Sequence, residues 1–89
     1  MTIGEFADFH GLEMLIQERR LPKGNPTRYW AEFKGAEIMG DGVLIGEFGN
    51  GATHEEAIAD YAKKISLKRI VIGVYRQERK EIEVPRLKG

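Results

Sequence analysis

Few side chains in this sequence could do chemistry, and their spacing does not converge on a reactive centre. The chain has two histidines, His10 and His54, and a single serine, Ser66. His54 precedes Glu55 and Glu56, a trio that suggests a metal site or an acid–base pair. Successive helical positions point about 100° apart, however, so these three side chains cannot share one ion without further ligands. The sequence around Ser66 offers no histidine–carboxylate relay. We predict a protein that is not an enzyme, with no catalytic residue, metal site or cofactor.

The glycines at residues 49–51 are a second candidate for chemistry, because glycine turns before helices often bind phosphate. The segment reads Gly49-Asn50-Gly51 and precedes a predicted helix. It lacks the lysine of a P-loop, and two glutamates follow it whose charges repel an anion. We interpret these glycines as a turn between a strand and the helix, in which positive φ angles are required.

Composition and length indicate the scale of the fold. The chain has 89 residues, 42% of them apolar, and contains no cysteine. Disulfides and thiolate zinc sites are therefore excluded, and we expect a cytoplasmic protein. No apolar run is long enough for a membrane span, and no basic-then-apolar signal opens the chain, which we expect to start at Met1. We predict one α+β domain over residues 1–89, with a short N-terminal helix at 2–10, a core at 12–75 and a C-terminal extension at 76–89.

Hydrophobic periodicity and capping signals predict the element order α-β-β-β-α-β, with one further candidate strand. Thr2 and Glu5 have the spacing of a capping box, and Gly11 is placed to end the first helix. Thr53 is the predicted N-cap of the main helix, whose apolar residues form one stripe that faces a sheet. These patterns predict a four-stranded, mostly antiparallel sheet with one main helix packed on it. Strands are predicted at residues 12–20, 29–34, 43–48 and 69–75, the main helix at 53–65, and an edge strand or packed extension around Ile82 and Val84.

Four segments of the chain carry a resemblance to a known family. They are residues 2–7 (TIGEFA), 28–35 (RYWAEFKG), 49–61 (GNGATHEEAIADY) and 79–85 (RKEIEVP). They extend over nearly the whole chain and resemble a family of small uncharacterised phage and prophage proteins. The strand–strand–strand–helix part is similar to the partial double-stranded-RNA-binding (dsRBD-like) fold of HicB-type antitoxins, whose helix also opens with a Thr-x-Glu-Glu-Ala pattern. The chain departs from expectation at Leu67, where a helix-ending glycine is usual; Ser66 or a tightened last turn must then end the helix.

The dsRBD-like order makes nucleic-acid binding an alternative. Such domains contact phosphates with lysines at the start of the second helix, where this chain has His54, Glu55 and Glu56. Charge is unevenly distributed, because residues 1–62 hold five basic and eleven acidic side chains and residues 63–89 hold nine and three. Folding either interleaves these charges as surface pairs or leaves a basic region with weak, salt-sensitive affinity for nucleic acid. The candidates for a HicB-like nucleic-acid-binding regulator are Lys63, Lys64, Lys68, Arg69, Arg76, Arg79 and Lys80.

The aromatic residues favour a protein partner. Period two sends Tyr29 and Phe33 to one face of a strand and Trp30 to the other. If the first two pack beneath the main helix, Trp30 is exposed unless the N-terminal helix or a second subunit covers it. Tryptophan is frequent among interface anchors. The sequence therefore predicts either cover by the N-terminal helix or a partner or dimer surface at Trp30, with Leu15 and Leu44 as candidate neighbours.

Together these observations predict a small phage-type accessory protein that acts non-enzymatically in the host cytoplasm during infection. It would bind a host protein, for example to inhibit a defence or regulatory factor, and a homodimer is compatible with this role. The resemblance, the missing catalytic set and the charge division support the hypothesis. The alternatives are the nucleic-acid-binding regulator described above and a small-ligand sponge seated in a dimer groove.

Overall fold

The computed structural model describes residues 1–73 and 79–89, and within them the chain forms two helices and seven strands. The fold is α+β, as predicted. The predicted strand positions Val74 and Tyr75 lie outside the described residues. The helices are α1 (Ile3–His10) and α2 (His54–Ile65), and the strands are β1 (Met14–Glu18), β2 (Tyr29–Phe33), β3 (Ala36–Gly40), β4 (Val43–Ile45), β5 (Gly49–Gly51), β6 (Arg69–Ile72) and β7 (Lys80–Glu83).

The strands form two antiparallel sheets, so the prediction of a single sheet with four strands was wrong. One sheet has three strands in the order β1-β2-β5, and the other has four in the order β4-β3-β6-β7. The predicted strand over 43–48 is shorter than expected, because β4, which pairs with β3, ends at Ile45, and the next strand, β5, lies in the predicted turn and pairs with β2. Asp41 and Gly42, with φ of 48° and 78°, form the tight turn before β4, since two successive positive φ angles suit a two-residue hairpin. Strand β3 was not predicted, because Met39 and the flanking glycines weaken its alternation.

Helix α1 runs from Ile3 to His10, one residue shorter at its start than the predicted helix over 2–10. The Glu5 amide donates to the Thr2 hydroxyl at 3.1 Å, and the Thr2 amide donates to the Glu5 carboxylate at 2.9 Å. This reciprocal pair is a capping box and satisfies two backbone donors at the helix start. Gly11 ends the helix in the left-handed conformation, with φ of 64°. Both capping predictions are confirmed.

The hydrophobic core lies between the two helices and the inner faces of the sheets. The Phe33 ring of β2 is 5.4 Å from the Tyr61 ring of α2 and 6.2 Å from the Phe6 ring of α1, measured between centroids. Ile70 and Ile82 add the inner face of the four-stranded sheet to the same buried cluster. The apolar stripe predicted on α2 is confirmed, because its residues are buried in this core. No helix within residues 1–73 and 79–89 is long and apolar enough to cross a membrane.

Strand β5 lies directly against helix α2, and its two glycines permit this approach. A Cβ atom on Gly49 would overlap the amide of Tyr61 and the carbonyl oxygen of Ala57, and a Cβ atom on Gly51 would overlap the amide of Ala57. Neither glycine has a positive φ. Their interpretation as a turn was therefore wrong, and they are required because one backbone packs on another.

Helix α2 begins at its predicted N-cap. The Glu56 amide donates to the Thr53 hydroxyl at 3.1 Å. The Glu56 carboxylate accepts a hydrogen bond from the amide of Ala52 at 3.0 Å, one residue before Thr53, so it does not complete a capping box with the Thr53 amide. Glu55 and Glu56 in the first turn also interact favourably with the positive end of the helix dipole.

Helix α2 ends without a glycine. Ser66 donates to the carbonyl oxygen of Ala62 through its amide at 3.0 Å and through its hydroxyl at 2.6 Å, and the prediction that Ser66 ends the helix is confirmed. Leu67 then adopts the left-handed conformation, with φ of 63°, and its amide donates to the carbonyl oxygen of Val84 at 3.0 Å. A residue with a Cβ atom pays about 1–2 kcal/mol in this conformation.

The segments near the two ends of the chain are hydrogen-bonded to each other. The Ile3 amide donates to the carbonyl oxygen of Lys88 at 2.8 Å, and the Lys88 amide donates to that of Met1 at 3.1 Å. Leu87 is buried, and its amide donates to the Ser66 hydroxyl at 2.8 Å. The C-terminal segment thus packs against the start of α1 and the end of α2.

Replacement of either glycine of β5 by alanine tests the close approach of strand and helix. We expect Gly49→Ala and Gly51→Ala each to lower the free energy of unfolding by roughly 3 kcal/mol, because the methyl group meets backbone that cannot move aside. Gly46→Ala is the matched control, since a Cβ atom there meets nothing within 4 Å, and it should change stability by less than about 1 kcal/mol. Urea denaturation measures all three variants, and near-native stability of Gly49→Ala would contradict the packing described.

Leu67→Gly tests the strain at the end of α2. We expect this variant to be more stable than the wild type by about 1 kcal/mol, because glycine adopts the left-handed conformation without the Cβ penalty. Leu67→Ala removes the same apolar surface but keeps the Cβ atom, so it should show no such gain. Chemical denaturation compares the two, and an equal response of both variants would exclude backbone strain as the cause.

Candidate protein-binding surface

Trp30 lies on the outer face of the three-stranded sheet. It is opposite Gln17 of β1 on one side and Asn50 of β5 on the other. Phe33 points to the inner face, where the Phe6 ring of α1 packs on it. Helix α1 therefore covers the face opposite to Trp30, and the alternative in which the N-terminal helix covers this tryptophan was wrong.

The Trp30 ring is half-buried by two side chains from other parts of the chain. The Phe48 ring packs edge-on against it, with 5.7 Å between centroids. The Arg19 guanidinium lies 5.8 Å from the Trp30 centroid and 5.5 Å from the Phe48 centroid, within the range of cation–π attraction. Phe48 stays 38% exposed, so this aromatic cluster is open to solvent along one side.

Arg19 is held beside the rings by hydrogen bonds. Its Nη1 donates to the carbonyl oxygen of Thr27 at 2.7 Å and to the side-chain oxygen of Asn50 at 2.9 Å. Hydrogen bonds from a charged donor are stronger than neutral ones, and two of them fix the plane of the guanidinium. Sequence reasoning missed Arg19 and Phe48, because neither lies on the same strand as Trp30.

Asn50 also links the aromatic cluster to helix α2. The backbone amide of Asn50 donates to the Asp60 carboxylate at 2.8 Å, and the Lys64 ammonium is 3.0 Å from the same oxygen. Lys64 donates in turn to the carbonyl oxygen of Phe48 at 3.0 Å. Burial raises the pKa of Asp60, but the hydrogen bonds from Asn50 and Lys64 and the lysine charges outweigh it, so the pKa is lowered overall. The network thus stabilises the ionised carboxylate.

Of the predicted neighbours of Trp30, the structure brings Leu15 to the same face and Leu44 to the other sheet. Leu15 is half-buried and lies opposite Glu32 in the β1–β2 register, two residue pairs along from Trp30 and hence on the same face. Burial raises the pKa of Glu32, which marks a carboxylate partly withdrawn from water. Leu44 is on β4, where it pairs with Met39. We define the Trp30 surface as Leu15, Gln17, Arg19, Trp30, Glu32 and Phe48.

The basic residues suggested for nucleic-acid binding are divided between two ends of a strand pair. Arg69 pairs with Glu83 and Ile72 pairs with Lys80, so the two groups are separated by about 10 Å of strand. Ion pairs neutralise part of the charge, as Arg69 is 2.8 Å from Glu83. Lys63, Lys64, Lys68 and Arg69 lie around the end of α2 and the start of β6, Arg79 and Lys80 lie at the far end of the β6–β7 pair, and Arg76 is outside the described residues.

The residues considered for catalysis have structural contacts. The His54 ring packs edge-on against Tyr29, with 4.6 Å between centroids. Desolvation by the surrounding protein lowers the pKa of His10, and the Lys80 charge adds to this effect. Tyr61 was not among these candidates; its burial in the core raises the pKa of the phenol to about 12, which keeps it neutral. Over residues 1–73 and 79–89, no group of three histidine, aspartate or glutamate side chains could hold a metal ion.

The Trp30 surface contains the kinds of side chain that bind other proteins. It combines apolar and aromatic groups that can be buried further with a fixed cation, Arg19, and a carboxylate, Glu32. Comparison with protein-family models, curated proteins and solved structures finds no match to this chain.

Asp60→Asn tests the network that connects α2 to the aromatic cluster. Because the pKa of Asp60 is lowered from its ordinary value of 3.8, its ionisation stabilises the fold above that value, and this contribution is lost as the pH falls through the folded-state pKa. We expect the wild type to be more stable than Asp60→Asn at neutral pH and the difference to shrink in acid. Denaturation of both proteins from about pH 7 to about pH 2 measures it, and a difference independent of pH would contradict the assignment.

Proposed function

We propose that this chain is a small phage-type accessory protein that acts without catalysis by binding a host protein through the Trp30 surface. The host setting rests on the resemblance of residues 2–7, 28–35, 49–61 and 79–85 to phage and prophage proteins. The dsRBD-like or HicB-like relationship belongs to the same proposal, with the three-stranded sheet and α2 as the part that corresponds. The bound protein would be a defence or regulatory factor of the host cytoplasm.

The observation that carries the proposal is the half-open aromatic cluster on the outer face of the three-stranded sheet. Trp30 is only half-buried, Phe48 is 38% exposed and Leu15 lies beside them on the same face. Burial of such rings at an interface gains both apolar transfer free energy and close packing. Arg19 is already ordered by two hydrogen bonds, so its side chain loses little further conformational entropy when a partner packs on it.

The arrangement of cations gives less support to the nucleic-acid-binding alternative. A phosphate backbone is bound by several cations that lie along one surface. Here the basic residues fall at two ends of the β6–β7 pair, and Glu55 and Glu56 occupy the helix start at which related folds place lysines. The acidic start of α2 would repel a phosphate backbone.

Capture of a partner from host lysate, followed by binding of the purified components, tests the proposal. We expect wild-type protein to retain a specific host protein and Leu15→Lys to weaken that binding at least about tenfold, because a charge is placed beside Trp30 at the centre of the interface. Phe9→Ser is the matched control, since Phe9 is 78% exposed on α1, away from this surface, and it should bind like the wild type. Calorimetry with the purified partner measures the affinities.

Two results would count against the proposal. One is the recovery of no specific protein by the wild type. The other is equal binding by Leu15→Lys and the wild type, which would exclude the Trp30 surface even if a partner exists. Denaturation curves of each variant establish that a loss of binding does not come from unfolding.

A further inference from the structure

Two features of Leu67 are unfavourable for the isolated protein. Its φ of 63° is in the left-handed region, where a Cβ atom strains the backbone. Its side chain is also 68% exposed, although glycine would end the helix without either cost. Backbone strain of this kind often accompanies a binding role, so the side chain of Leu67 is a candidate contact.

Leu67 borders a groove on the outer side of the four-stranded sheet. The groove has a volume of about 480 Å³. Met39 of β3 and Leu67 provide its accessible apolar side chains, whereas the side chain of Val84, which also borders it, is buried in the core. The groove is shallow and open, which suits an extended segment of protein better than an enclosed small molecule. The charged residues that line it are Lys68, Arg69 and Glu83.

The charge of the groove indicates the kind of segment that would fit. Glu83 is engaged by Arg69 at 2.8 Å, which leaves Lys68 as an exposed cation and half of Arg69 accessible to solvent. Two of the last carbonyl oxygens of α2 already accept hydrogen bonds, because Ser66 donates to that of Ala62 and the Lys68 amide donates to that of Ile65 at 3.1 Å. With Lys68, Arg69 and Glu83 as its charged residues, the rim has a net positive charge, which favours an anionic partner.

We propose that the groove formed by Met39, Leu67, Lys68, Arg69, Glu83 and Val84, hereafter the Leu67 groove, binds an extended segment of a partner protein in which an apolar side chain is flanked by carboxylates. The apolar side chain packs between Met39 and Leu67, and the carboxylates lie against Lys68 and Arg69. This site is on a different sheet from the Trp30 surface. A chain with both sites can hold two protein segments at once.

Selection from a library of random peptides displayed on yeast, with the purified full chain as bait, tests this proposal. We expect the selected peptides to share a large apolar residue with aspartate or glutamate within a few positions. Fluorescence polarisation of the synthetic peptides then gives their affinities. Leu67→Gly should weaken binding about tenfold, as for loss of an interface anchor, even though this variant is expected to be the more stable protein. Lys68→Glu should also weaken binding, and its effect should be larger at low salt than at high salt.

The controls separate this site from the Trp30 surface. Leu15→Lys and Phe9→Ser should bind the selected peptides as the wild type does, so failure of the proposed host-protein interaction would leave this result unaffected. Selection of no peptides, selection without acidic residues, or equal binding by Leu67→Gly and the wild type would each overturn the proposal. A concentration-dependent dimer that Leu67→Gly abolishes, seen by sedimentation, would also overturn it, since the occupant would then be a second copy of this chain.

Discussion

The contact between β5 and α2 is the constraint on which the rest of the structure depends. With no side chain at Gly49 or Gly51, the backbone of the strand packs on the backbone of the helix. Asn50 is thereby placed where its amide reaches Asp60 and its side chain reaches Arg19. Arg19 in turn lies beside the rings of Trp30 and Phe48. The arrangement of the Trp30 surface thus depends on the packing of Gly49 and Gly51 against α2, on the other face of β5. The two faces of the sheet are therefore not independent.

Local signals in the sequence were sufficient to predict the helices and most of their caps. Thr2, Glu5, Gly11 and Thr53 act within one turn of the backbone, so their roles can be read without knowledge of the fold. The division into two sheets could not be predicted in this way, because it depends on pairing between distant segments. The roles of Gly49 and Gly51 were misassigned for a related reason: a glycine in a turn and a glycine beneath a helix look alike in sequence.

The sequence predicted those parts of the candidate site that depend on the alternation of side chains along a strand. The two-residue period correctly separates Trp30 from Phe33, and pairing of β1 with β2 brings Leu15 to the same face. Arg19 and Phe48 enter the cluster through loops whose direction the periodicity does not specify. The basic residues were close in sequence, yet antiparallel pairing of β6 with β7 places Arg69 and Lys80 at opposite ends. Sequence proximity therefore overstated the extent of a continuous basic patch.

The hydrogen bonds of Ile3 and Met1 with Lys88 make the docking of α1 dependent on a distant part of the sequence. Helix α1 has only eight residues, and two helical turns are marginally stable in isolation. Its docking is complete only when the segment that contains the buried Leu87 and Lys88 is in place beside it. Until then the Phe6 side chain is exposed apolar surface that chaperones or aggregation can engage. The docking of α1 therefore depends on contacts with a segment more than eighty positions away in the sequence.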